Sequence, residues 1–384
     1  MKILYHHRIA SKDGQYVHIE ELIESLRRLG HEVIVVEPSQ LSKKSFGKSS
    51  GVVKSLRSFL PDFFHEIIEF CYSFFDFFKV VAAIIKHRPN CIYERYNIFF
   101  ISGILAKKLF SLPLILEVNA PLFLERKINH GIGFEWLAKW SETFVWKNAD
   151  YVLPVTAVLA ETVLAAGVNP EQCVVIPNGI NTKYFSENLN GTKIRTKWGL
   201  QDKLVFGFVG FVRTWHRLDR VLVVMSQNLE KNWHLLLIGD GPAKAELEQQ
   251  ADQLGIAERV SFVGVIDRNE IADYVSAFDI ALQPDVVEYA SPLKLFEYMA
   301  LGKAIVAPNR RNILEILVDE DNALLFDPDQ EFSFSNQLKR LCESEELRKS
   351  LGLAARKTIE DRKLFWEENA RKIDKLFMGL LPAI

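Results

Sequence analysis

Cysteine is sparse: Cys71, Cys91, Cys173 and Cys342 are scattered through 384 residues without metal-ligand spacing, each in or beside an apolar run. That excludes a disulfide framework and suggests reduced core residues of a cytosolic protein. An excess of either charge is also lacking, with 47 basic against 49 acidic residues, which argues against the electrostatic footprint of a nucleic-acid binder. No nucleic-acid partner is expected. No secretory leader is expected either, because Met1-Lys2 runs straight into a strand-like segment.

Nor is there an apolar run of the roughly twenty residues that a membrane span needs. The nearest stretch, Phe59 to Ile85, is interrupted by Asp62, Glu66, Glu69, Asp76 and Lys79. It reads as one or two amphipathic helices packed on an N-terminal sheet. A second reading makes Phe63, Phe64, Phe74 and Phe78 a surface that dips into a bilayer near a lipid-linked acceptor. A cytoplasmic protein is expected, with peripheral contact at the inner face of the membrane under that second reading.

The length exceeds what one hydrophobic core normally fills, and 48% hydrophobic residues support complete folding into two domains. The opening MKILYHH is a short strand, followed by a polar turn at Asp13-Gly14. A helix comes next, burying Ile19, Leu22, Ile23, Leu26 and Leu29, and Gly30 stands where a left-handed cap would end it. The strand HEVIVVEP completes a βαβ unit, the seed of a parallel sheet. Further strand-like runs lie at Cys91 to Tyr93, Leu114 to Val118, Tyr151 to Val155 and Val174 to Ile176. The chain turns polar around Asn181 to Lys203 and then repeats the alternation, beginning with LVFGFVG and its terminal Gly210. The expected fold class is α/β with two Rossmann-like domains. We place the N-terminal domain at 1–190, the C-terminal domain at 191–360, and a last helix at 361–384 packing back on the first domain.

Two segments carry chemistry. LLLIGDGP puts Gly239 and Gly241 in a turn at the carboxyl end of a strand, with Pro242 opening a helix. Backbone amides in such a turn suit phosphate oxygens, although such turns also serve close strand-to-helix packing. In YASPLKLFEYMALGKAIVAP, Ser291 and Pro292 start a helix that carries Lys294 and Glu297 three residues apart. An anion at that N-terminus would meet unpaired amides and the helix dipole, while Lys294 adds a point charge and Glu297 could accept ribose hydroxyls. The same two residues also read as an ordinary surface pair.

Taken with IGDGP, VSFVG, AFDIALQP, VIPNGIN and the DG turn before GHEV, this stretch resembles glycosyltransferase family 4, retaining enzymes of the GT-B fold. The resemblance spans nearly the whole chain in the right order. It implies two Rossmann-like domains facing across a cleft, the C-terminal one holding a nucleotide-sugar. It also implies that Glu297 binds the donor ribose, Ser291 to Leu293 cradle the diphosphate, Val263 and Gly264 face the base, and Gly14 belongs to a loop closing over the donor phosphates. Five positions depart from the family pattern. The first motif glutamate falls on Tyr289, the phosphate-clamp Arg and Lys on Phe211 and His216, the His after the fourth strand on Asn119, and the Asp of NGVD on Asn181.

Transfer passes through an oxocarbenium-like state as a diphosphate leaves, so cations there lower the barrier. Arg213, His216 and Lys294 are the candidates, and His216 would serve best protonated, with activity falling as pH rises. Glu117, at the carboxyl end of a strand in LEVNAPLFLE, is expected to face the acceptor with Asn119 and Glu125, or else to pair with a buried Arg such as Arg95. The sequences Asp319 to Asp321 and Asp327 to Asp329 lie in late turns and read as capping carboxylates. No metal and no cofactor are expected, the nucleotide-sugar being a co-substrate.

The function expected is retaining transfer of a sugar from a UDP- or GDP-sugar to a hydroxyl of a glycan, lipid-linked saccharide or small molecule. Sugar-nucleotide epimerisation and a non-catalytic sugar-nucleotide-binding subunit are the alternatives.

Overall fold

The computed structural model describes residues 1–9, 14–38, 62–129, 131–185 and 189–381. Two compact units divide the chain, and neither is one continuous segment. The first contains Met1–Pro177, Tyr289–Ser291 and Trp366–Ile384, and the second contains Asn178–Glu288 and Pro292–Phe365. The polar stretch read as a boundary at 190 therefore falls inside the second unit, where Ile180 bridges to Phe365.

In the first unit the chain runs β1 (Lys2–His6), α1 (Gly14–Arg28), β2 (Glu32–Val36), α2 (Asp62–His87), β3 (Cys91–Arg95) and α3 (Ser102–Phe110). It continues through β4 (Leu114–Val118), α4 (Leu122–Asn129), α5 (Glu135–Asn148), β5 (Tyr151–Pro154) and α6 (Ala157–Ala165). All strand pairs are parallel, in the order β2-β1-β3-β4-β5. The order reverses between β1 and β3, the place where open α/β sheets receive ligands. Gly30 ends α1 region with φ +86°, a left-handed conformation that glycine adopts without penalty. The run Val174 to Ile176 is not a full strand. Its Val174 and Ile176 amides donate to Val152 and Pro154, and Cys173 forms only an isolated bridge.

The second unit runs α7 (Thr192–Trp198), β6 (Leu204–Val209), α8 (Asp219–Ser226), β7 (Trp233–Ile238), α9 (Lys244–Gln253), β8 (Val260–Gly264) and α10 (Arg268–Ser276). Then come β9 (Ile280–Leu282), α11 (Leu293–Ala300), β10 (Ala304–Pro308), β11 (Leu324–Phe326), α12 (Ser333–Glu343) and α13 (Glu345–Asp361). Its six parallel strands are ordered β11-β10-β9-β6-β7-β8, with the reversal between β6 and β9. The strands are near-continuous apolar runs because helices cover both faces of a parallel sheet. WHLLLI of β7 is buried along its whole length.

The final helix, α14 (Trp366–Leu380), belongs to the first unit and packs on α1. Ala370, Ile373 and Phe377 join Ile19, Leu22 and Leu26 in one buried cluster. The aromatic stretch before β3 forms a single helix, α2, whose acids point mostly inward. Glu66 is 2% exposed and Asp76 1% exposed, so they interrupt the sequence without interrupting the outer face. The side chains of Phe63 and Phe64, and residue Asp13, lie outside the described residues.

Candidate active site

The second unit's site is assembled where β6 ends. The strand leaves the sheet at Gly210, φ +142°, and the chain passes through Arg213 into a short turn at Thr214–His216. Facing it is α11, whose N-cap Pro292 offers no side-chain bond to the first amides. Lys294 projects from the first turn of α11 so that its ammonium lies 4.2 Å from the centroid of Phe208. A Cβ added at Gly210 would meet Lys294 Nζ at 3.3 Å, so glycine there leaves room for the cation. Glu297 follows one turn later on the same helix.

Burial pulls the Lys294 ammonium down to about 7, while the Glu297 charge pushes it up. Arg213 packs its guanidinium 4.7 Å over each of the Phe211 and Trp215 rings. His216 stands edge-on to Phe208, with ring centroids 5.0 Å apart, and its Nδ1 accepts the Arg213 amide at 3.3 Å. Desolvation, then the charges of Lys294 and Arg213, hold His216 down at about 2. The expectation of a protonated His216 is therefore corrected: it is a neutral imidazole that braces the turn, and Arg213 and Lys294 carry the positive charge. Phe208, the ring that Lys294 and His216 share, was not singled out in the sequence, because a Phe inside an apolar strand gives no distinguishing signal.

Three glycines with positive φ stack beside this cluster, Gly210, Gly239 at +121° and Gly264 at +81°. A Cβ on Gly239 would sit 2.0 Å from the Gly210 carbonyl oxygen, and one on Gly241 would sit 2.2 Å from that of Val212. The Gly239 amide donates to Gly264 O at 2.8 Å, and the Gly241 amide to Asp240 Oδ1 at 2.9 Å. The expectation that these two amides face a phosphate is thus replaced by the packing alternative. Both are satisfied within the protein, and the glycines let adjoining loops approach. Pro242 lies in the turn before α9 rather than in its first turn. Val263 and Gly264 end β8, half-buried, with nothing within 4 Å of a Cβ built on Gly264.

The remaining candidates belong to the first unit. Gly14 is the exposed first residue of α1. Tyr289 packs on the core beneath β4 and β5, and its carbonyl accepts the Thr156 hydroxyl at 3.0 Å. Ser291, half-buried, closes the same short segment. Glu117 does not reach outward to an acceptor. It is 2% exposed and fully engaged, by Arg95 at 2.5 Å, the Tyr93 hydroxyl at 2.8 Å, His18 at 3.0 Å and the Asn119 amide at 2.5 Å. Burial would raise its pKa, but His18 and Arg95 outweigh that and hold it well below the carboxylate range. The pairing with Arg95 is the alternative that holds. Asn119 and Glu125 remain half-buried, Glu125 in the first turn of α4.

A second ionic cluster at the ends of β1 and β3 went unread in the sequence. His6 Nε2 lies 2.8 Å from Asp76, Nδ1 lies 3.6 Å from Glu94, and Arg8 lies 2.9 Å from Asp76. The signal was HHR at the end of the first strand. Of the other departures, Asn181 accepts the Lys183 amide on Oδ1 at 3.0 Å, a turn cap that an Asp would also supply. Asp319 and Asp327 accept the amides of Leu325 and Asp329.

Two family models match the chain, Glycosyltransferase Family 4 over residues 12–184 and Glycosyl transferases group 1 over residues 190–358. An uncharacterized glycosyltransferase of Methanocaldococcus jannaschii is 22% identical, covering 96% of this chain and 95% of its own. Among solved structures, Anabaena HepE in complex with UDP is similar with a TM-score of 0.76 at 18% identity, over 99% of this chain and 100% of that one. Sucrose-phosphate synthase from Thermosynechococcus elongatus gives 0.75 at 20% identity over 99% of both. At such identities the solved structures speak for the fold. With one model on each half and two parallel-sheet units beneath them, the chain belongs to glycosyltransferase family 4 and is a glycosyltransferase of the GT-B fold.

Proposed function

We propose that the chain transfers a sugar from a UDP-sugar, with retention at the anomeric carbon, to a hydroxyl of a glycan, lipid-linked saccharide or small molecule. The observation that carries this reading is the seating of Lys294 over Phe208, with Arg213 in the facing turn and Glu297 one helical turn away. Two cations and the uncapped start of α11 meet the charge that grows on a leaving diphosphate, and Glu297 accepts from the ribose hydroxyls. No metal enters this scheme. HepE was solved with UDP, which favours uracil over guanine as the base. Retention follows the family resemblance. On the acceptor side we keep Asn119 and Glu125, with Glu117 fixing their loop from below.

Thermal-shift measurements with UDP and GDP test the donor, since a ligand held only by the folded state raises its melting temperature. UDP is expected to give the larger shift, and Glu297→Ala to abolish it while leaving the ligand-free melting temperature unchanged. A shift that survives in the variant removes Glu297 from the site, and a larger GDP shift reassigns the base.

A further inference from the structure

The outer face of α2 is apolar along most of its length. Ile67, Ile68, Phe74, Phe75, Phe78 and Ile85 are all exposed, Phe78 by 66% and Ile85 by 63%. At 1.5 Å per residue, this face runs about 27 Å. Beside it, α5 exposes Trp136 by 69% and Trp140 by 44%, and the Trp140 ring lies 6.2 Å from that of Phe70 on α2. An exposed apolar surface of this breadth on a folded chain marks an interaction surface.

Its charge is sorted by sign. Most acids turn inward: Glu66 accepts the amides of Gly133 and Phe134, Asp76 holds His6 and Arg8, and Glu142 accepts from Tyr96 and the Phe123 amide. Glu69, at the margin, is paired with Arg126, and Glu135, exposed at the start of α5, is neutralised by Lys127. The cations stay outside, with Lys79 5.3 Å over the Phe75 ring and Lys86 and Lys139 exposed.

We propose that the first unit docks on an anionic lipid bilayer through this face, α2 lying in the plane of the interface. Aromatic and aliphatic side chains would enter the headgroup boundary while the lysines meet lipid phosphates. A second copy of the chain fits less well, because a two-fold contact through this face would set its lysines against one another. Crossing the membrane is not involved: among the described residues no helix is long and apolar enough to span it. The proposal stands apart from the donor assignment, since docking requires no sugar nucleotide.

The test is flotation of the full chain, without nucleotide, on vesicles of phosphatidylcholine mixed with phosphatidylglycerol and on vesicles of phosphatidylcholine alone. The protein is expected to follow the mixed vesicles and to bind the neutral ones more weakly. Combining Phe74→Ser, Phe75→Ser and Phe78→Ser should cut the bound fraction about tenfold, with an unchanged ligand-free melting temperature showing that the fold persists. The pair Lys79→Glu and Lys86→Glu should erase the preference for the anionic lipid. Protein that stays behind with the mixed vesicles, or a triple variant that floats like the parent, overturns the proposal. So does a parent dimer that the triple variant turns into a monomer while vesicle binding is unaltered.

Discussion

Lys294 and Phe208 form the closest cation–ring contact among the described residues of the second unit, 4.2 Å from ammonium to centroid, and the apolar ring leaves the cation poorly solvated. Desolvation explains why Lys294 is pulled down to about 7, against the opposing effect of Glu297.

With the donor seated as proposed, that contact should make its binding pH-dependent. A diphosphate beside Nζ favours the charged form, so the Lys294 pKa rises on binding and a proton is taken up above about pH 7. Affinity for UDP should therefore fall as pH rises from about 7 to 9, by at most about tenfold per pH unit. Calorimetry in buffers of different ionisation enthalpy measures the uptake directly. Lys294→Arg should flatten the dependence, and a pH-independent affinity in the parent protein would take Lys294 out of the donor site.

The glycines at the ends of β7 and β8 should respond differently to a methyl group. Gly239→Ala combines φ +121° with a Cβ 2.0 Å from the Gly210 carbonyl, and is expected to cost about 3 kcal/mol or more. Gly264→Ala meets only the strain of φ +81° in open space, about 1 kcal/mol. Urea melts of both variants check the order, and equal losses would contradict the packing role of Gly239.

In the first unit, His6 links stability to pH. Burial pushes its imidazole down, but Asp76 and Glu94 outweigh this and hold it up at about 9. Because that lies above the unfolded value of about 6.5, the stabilisation is complete below about pH 6.5 and is lost as pH climbs through 9. Denaturant melts should show a loss of a few kcal/mol across that window. His6→Gln should flatten this limb and lower stability at pH 6.

Glu117→Gln should behave as a folding variant rather than as an acceptor variant. It removes the countercharge that buried Arg95 shares with His18, and loss of one partner in such a network costs about 3 to 5 kcal/mol. Glu125→Gln, at a half-buried helix start, should change stability by no more than about 0.5 kcal/mol. If Glu117→Gln instead raised KM for the acceptor at unchanged stability, the carboxylate would have to face that substrate after all.

Periodicity was enough to read the two α/β alternations, the α1 face from Ile19 to Leu26, and the helix that carries Lys294 and Glu297, because each depends on neighbours close in sequence. What escaped was set by partners distant in sequence. Asp76 breaks the apolar run in sequence, yet it faces His6, seventy positions earlier, and leaves the outer surface of α2 apolar. The spacing of Gly239 and Gly241 cannot tell whether their amides are free, since Gly264 and Asp240 decide that. The charge of His216 depends on its burial against Phe208 and on Lys294, which a single strand-and-turn segment does not encode.

The seating of α14 against α1 also has a bearing on biosynthesis. Ribosomes deliver Ile19, Leu22 and Leu26 early, but the Ala370, Ile373 and Phe377 that seal them from water come only after the entire second unit has been translated. The nascent amino-terminal half must wait, greasy and half-clad, for the tail of its own polypeptide. Premature termination before Trp366 would therefore leave this half the natural client of chaperones and proteases, even where the second unit's sheet had folded soundly.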